Sequence, residues 1–167
     1  MAIAKMKSAP TGEIAIGLDS RARKEVVAAL SHGLANTYLL QLKTQYYHWN
    51  VTGEHFAALH LLFETQYNEL AAAVDELAER IRALGATTPG TFHEFAELAS
   101  LQEDKSLPSN WQTMVSNLVA AHEAITRLAR ERIKVAQRAG DEGTADLFIR
   151  RLQAHEKAAW MLRSHLQ

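Results

Sequence analysis

The chain has 167 residues, no cysteine and a formal net charge of −1, with 47% hydrophobic and 22% charged residues. That composition is globular, and the length suffices for one domain with its own core. Disulfide frameworks, thiolate metal sites and cysteine nucleophiles are excluded, as are a polycation built to coat nucleic acid and a membrane span of about 20 apolar residues.

Residues 1–17 read as a flexible N-terminal tail: Lys5, Lys7, Pro10 and Gly12 sit among small residues without a sustained period. The tail lacks the apolar stretch of a secretory signal, so the expected location is the cytoplasm. Residues 18–167 read as a single helical domain. Asp19 or Ser20 supplies an N-cap, and Val27, Leu30, Leu34, Tyr38, Leu42, Tyr46 and Trp49 recur at steps of three and four. Asn50–Gly53 breaks this first helix. A second stripe follows in Phe56, Leu59, Phe63, Tyr67, Leu70, Val74, Leu77, Ile81 and Leu84, ended by Gly85, Pro89 and Gly90.

Thr91 and Glu94 form a capping-box pattern that opens a short helix to about Ala99. Ser109 and Gln112 form another, opening a long helix to about Arg138. After a turn at residues 140–143, a last helix runs from about Thr144 to Leu166. Four long helices with a short extra one between the second and third predict an all-α antiparallel bundle with one longer crossover.

The chemistry lies off the core face of the second helix. At 100° per residue, His60, Glu64, Asp75 and Glu79 cluster about 120° from the centre of its apolar stripe. His60–Glu64 and Asp75–Glu79 are i,i+4 pairs, each able to close on one ion. Eleven residues at 1.5 Å set Glu64 and Asp75 about 16 Å apart along the axis, far beyond metal bonds of about 2 Å. The two pairs therefore cannot share an ion within one chain. A two-fold antiparallel partner crossing near residues 69–70 would bring them face to face and create two equivalent sites.

His48, at the end of the first helix, can converge with His60 across the bend at Thr52–Gly53. Two histidines with a carboxylate and open positions suit non-haem iron. The plainer alternatives are solvated charges, surface pairs such as Glu76–Arg80 and Glu79–Arg82, and histidines used in packing. Against these, Asp75 and Glu79 are like charges one turn apart, mildly unfavourable unless a cation lies between them.

Lys43–Gly53, with its His48-Trp49-Asn50 core, then Phe56, Leu59-His60 and Asp75–Ile81, resemble the signature of the Dps family, the mini-ferritins named DNA-binding protein from starved cells. The similarity extends to Thr144–Leu147 and His155–Leu162. This resemblance implies a ferritin-like four-helix bundle assembled as a hollow homo-dodecamer. It also implies a ferroxidase: Fe(II) oxidised, preferably by hydrogen peroxide, at inter-subunit sites of two iron ions each, with ferric mineral stored inside and DNA protected from oxidative damage. Carried over, the metal ligands and catalytic residues are His48, His60 and Glu64 of one subunit with Asp75 and Glu79 of its neighbour, Glu64 standing where the family often has Asp. Trp49 lies either beside the iron or in the core. Asp141, Glu142 and Asp146 are either acids of an iron-entry pore or caps of the last helix. Ordinary ferritins carry Glu-x-x-His motifs within one bundle, and no histidine of this chain has Glu three residues before it. The alternative is a nucleoid-associated protein that compacts DNA through Lys5 and Lys7, two positive charges per tail multiplied by the assembly.

Overall fold

The computed structural model describes residues 14–167, and no strand occurs among them. Its helices are α1 (Ser20–Asn50), α2 (Phe56–Ala83), the short α3 (Phe92–Leu98), α4 (Trp111–Arg138) and α5 (Glu142–Arg163). The four long helices form a bundle in which α1 packs on α2 and α4, and α4 on α5. The tail lysines Lys5 and Lys7 lie outside the described residues. Of the remainder of that segment, Ile14 offers its carbonyl to Arg23 Nη1 at 2.8 Å. No helix among the described residues is long and apolar enough to cross a membrane.

Four of the five helices start where a side-chain oxygen takes an orphan backbone N–H; α2, preceded by His55, has no side-chain cap. Asp19 caps α1 through the Ala22 N–H. Thr91 and Glu94 close a reciprocal capping box on α3, as the sequence pattern predicts. The cap of α4 differs from expectation: it is Asn110, not Ser109, whose side chain accepts from the Thr113 N–H at 2.8 Å. At α5, Asp141 accepts from the Thr144 N–H, so the helix begins at Glu142, two residues before the predicted start. Gly140, at φ 74°, makes the reversal from α4, and the Asp141 N–H closes back on Ala136 O at 2.9 Å.

The buried face of α1 departs from its apolar stripe. Val27, Leu30 and Leu34 are buried as expected, but the buried line then runs through Thr37, Leu40, Thr44, Tyr47 and Val51. Leu42 and Trp49 point outward, at 37% and 63% exposure. Steps of three and four alternate nearly evenly along the observed line, the heptad-like drift of a helix wrapping left-handedly round its neighbours. Thr37 and Thr44 occupy core positions because their hydroxyls bond back to Gly33 O and Leu40 O, at 2.8 and 2.7 Å.

The crossover from α2 to α4 is pinned to α1. Asn36 Oδ1 accepts from the Ser100 and Leu101 N–H groups at 3.0 and 2.9 Å. Phe95 of α3 stacks on Tyr38 at a centroid distance of 4.7 Å. Asp104 accepts from the Tyr47 hydroxyl and, at 3.3 Å, from Lys43 Nζ. Two apolar clusters fill the bundle, one around Leu30, Leu77 and Phe148, the other around Leu59, Phe63 and Leu118. Along α1 and α5 a buried polar level separates them, holding Thr37, Arg151 and His155, with His122 facing it from α4.

A candidate metal centre split between two faces

The five-residue connection from α1 to α2 returns the chain on itself, and the two imidazoles meet across it. His48 and His60 stack at a centroid distance of 3.8 Å and 22° between planes. His48 Nδ1 lies 2.9 Å from His60 O, and His60 Nδ1 lies 3.0 Å from His48 O. A carbonyl oxygen only accepts, so both Nδ1 atoms carry the proton. In the neutral ring this leaves Nε2 bare on each, the nitrogen with a lone pair for a metal. Phe56 packs on His60 at 5.1 Å, and Tyr67 meets the His48 ring edge-on at 5.2 Å. Both belong to the apolar stripe of α2, and Phe56 also to the family signature; their spacing of four residues before and seven after His60 puts them on its side of the helix.

Glu64 follows His60 by one turn and is half-buried, whereas Asp75 and Glu79 are exposed farther along α2. The structure thus brings His48 and His60 together, with Glu64 next along the same face, and leaves Asp75 and Glu79 apart from them. No group of three or more His, Asp or Glu side chains able to hold a metal occurs within the single chain among the described residues.

The surface pairs considered above do not form. Glu76 binds Arg150, Arg80 binds Asp141 at 2.6 Å, and Arg82 donates to Ala86 O at 2.9 Å. Glu69 holds Arg151 through both oxygens. The other acids of α2 are therefore engaged, while Glu64, Asp75 and Glu79 have no ion pair among the described residues. The exposed Trp49 is not a core residue. With Phe56 at 45% and Leu61 at 61% exposure, it gives the histidine end of the hairpin an apolar border. Asp141 is 3% exposed and bonded to Arg80 and Thr144, which identifies it as the cap of α5.

A ferritin-like domain profile matches residues 27–167. DNA protection during starvation protein 2 of Bacillus anthracis is 35% identical over 143 residues, 86% of this chain and 97% of that one. A low temperature-induced protein of Nostoc is 40% identical over 158 residues, 92% of this chain and 87% of its own. Among solved structures, Dps from Thermosynechococcus elongatus superposes with a TM-score of 0.84 at 33% identity, covering 89% of this chain and 94% of that one. The Dps protein of Vibrio cholerae, described as one of a broad superfamily of ferritin-like diiron-carboxylate proteins, gives 0.87 at 31% identity, with 94% and 99% coverage. An all-helical bundle with a short helix in its crossover, and likeness to these proteins along nearly its whole length, make this chain a member of the ferritin-like family and, within it, of the Dps group.

Proposed function

We propose that the protein is a ferroxidase and iron store whose oxidising site is completed only by a second copy of itself. His48, His60 and Glu64 of one subunit and Asp75 and Glu79 of the other would bind two Fe(II) ions, the substrate. The observation that carries this reading is the reciprocal bonding of His48 and His60, which presents two bare Nε2 atoms beside Glu64, an acid with no ion pair among the described residues. Imidazole plus carboxylate is a donor set suited to iron in both oxidation states. The unpaired, like-charged Asp75 and Glu79 supply a complementary half-site from the facing helix. The apolar border of Trp49, Phe56 and Leu61 is the surface such a partner would cover.

Each Fe(II) gives up one electron. Two of them reduce one hydrogen peroxide with two protons to two waters, so no hydroxyl radical leaves the site. Holding two irons together is what the paired half-sites contribute, because a single iron delivers one electron at a time. The ferric product then hydrolyses and is stored inside a dodecameric shell. Removing Fe(II) and peroxide together protects DNA in the cytoplasm chemically, in keeping with the names of the relatives.

Mixing His60→Ala and Asp75→Ala subunits tests the arrangement. Each variant alone has every site broken. In a mixed two-fold pair, one site carries both lesions and the other carries none. Co-assembly should therefore restore about a quarter of the wild-type rate of peroxide-dependent ferric absorbance if pairs form at random. No recovery in verified mixed particles overturns the shared site.

A further inference from the structure

A second polar feature lies inside the bundle, away from the histidine hairpin. His122 of α4 and His155 of α5 are 2% and 1% exposed, and their Nδ1 atoms are 3.0 Å apart. A nitrogen-to-nitrogen hydrogen bond needs one protonated Nδ1 and one bare one. The neutral pair therefore has one Nε2–H and one bare Nε2, and both Nε2 atoms are buried without a partner. Gln66 of α2, 7% exposed, likewise has neither side-chain atom bonded. The Glu69–Arg151 pair sets the register of these antiparallel helices. Gln66 comes three residues before Glu69 and His155 four after Arg151, so both lie about one turn from the pair in the same direction.

A cavity of about 20 Å³ adjoins His155, lined among others by Arg132, Arg151, His32 and Thr37. Arg132 Nε and Arg151 Nε are buried and unpartnered. A buried donor left unsatisfied is destabilising, so such atoms ordinarily find a partner. The space is enough for one water and no more, since a water needs roughly 10–15 Å³ by such a measure.

We infer that this cavity binds one ordered water, which closes a directed chain of hydrogen bonds through the centre of the bundle. A cation is disfavoured by two guanidinium groups in the wall. An anion would leave its hydration for a wall in which Arg151 is already neutralised by Glu69. Water fits both counts. Its two lone pairs accept from Arg132 Nε–H and Arg151 Nε–H, so it must donate to His155, whose Nε2 is therefore bare. His155 then carries its proton on Nδ1 and donates to His122 Nδ1. His122 in turn is protonated on Nε2. The chain fixes both tautomers and leaves no pair of bare ring nitrogens for a metal. The interior of the bundle is thereby closed to iron, and metal is confined to its face.

Joint neutron and X-ray crystallography of the native assembly, on crystals soaked separately in Fe(II) and in bromide, tests this. The expected result is a single peak within hydrogen-bond distance of Arg132 Nε, Arg151 Nε and His155 Nε2. It should show neither iron nor bromine anomalous signal, with deuterium on His155 Nδ1 and His122 Nε2. An empty cavity, an iron or bromide peak within it, or deuterium on His155 Nε2 overturns the proposal.

Discussion

His48 and His60 each give the Nδ1 proton to the other's main-chain carbonyl, at 2.9 and 3.0 Å. The two rings are thus oriented by the backbone of the hairpin that carries them. No third residue is needed to choose their tautomers. Such support around a metal ligand is usually worth 10–100-fold in affinity.

His60→Ala removes a donor nitrogen and also the carbonyl-bound proton that orients the region around His48. Fe(II) binding, titrated anaerobically, should weaken by at least about 10–100-fold. Circular dichroism should remain helical, because the ring contributes little to the core. Unchanged iron affinity in His60→Ala would remove this residue from the site.

Asp75→Asn paired with Glu79→Gln should uncouple stability from activity. Without metal, the substitutions relieve a like-charge i,i+4 contact and leave stability unchanged or raised by a few tenths of a kcal/mol. Peroxide-dependent oxidation should fall to background. A destabilised double variant would mean these acids serve the fold.

Acid should weaken the bundle through His122 and His155. Burial, aided by the Arg151 charge, lowers His122 to about 3 from 6.5. Burial, His122 and Arg151 lower His155 well below 6.5. Between these values the unfolded chain binds protons that the folded chain refuses, so stability is full above about pH 6.5 and declines as pH falls toward 3. The slope is about 1.4 kcal/mol per pH unit for each ring. Urea midpoints measured from pH 7 to 5 should show this decline, and it should flatten in a His122→Leu, His155→Leu double variant. Equal slopes in the two proteins would refute the assignment.

Tyr47→Phe should loosen the crossover. The buried hydroxyl donates to Asp104 and accepts from Asn117 Nδ2 at 3.1 Å, and burial and the Asp104 bond hold the phenol well above its usual 10. Removing it strands both partners and should cost about 1–3 kcal/mol. Hydrogen exchange should accelerate in residues 100–106, and no acceleration there would argue that Asn36 and Lys43 suffice to pin the segment.

Asp141→Ala should cost about 2–4 kcal/mol, since it deletes the cap of α5 and leaves Arg80 unpaired. Iron uptake per folded particle should not change. Slower uptake at equal stability would instead place Asp141 on the path of iron entry.

Much of this was legible in the sequence because it is local. The Thr91–Glu94 box fixes the start of α3 within four residues, and α2 carries the proposed ligand acids at spacings that a helical wheel resolves. The apolar stripe of α1 departs from its buried line after Leu34 because Thr37 and Thr44 are polar yet buried, while Leu42 and Trp49 are apolar yet outward. Periodicity weighs residue type and cannot see a hydroxyl satisfied by its own helix. The His122–His155 contact was invisible for another reason: each is a lone histidine on its helix, and only the register of α4 against α5 joins them. The pairing of His48 with His60 was foreseeable because twelve residues and a tight bend separate them.

That short separation has a further result for how the protein comes into being. A newly synthesised subunit presents its pair of imidazoles as soon as the first hairpin closes, while Asp75 and Glu79, the acids proposed to match them, stand elsewhere on its surface. Oxidising power would then be latent in the solitary chain and arise only on association. A cell making this protein would accumulate harmless precursors, and dilution below the assembly threshold would silence the chemistry without unfolding anything.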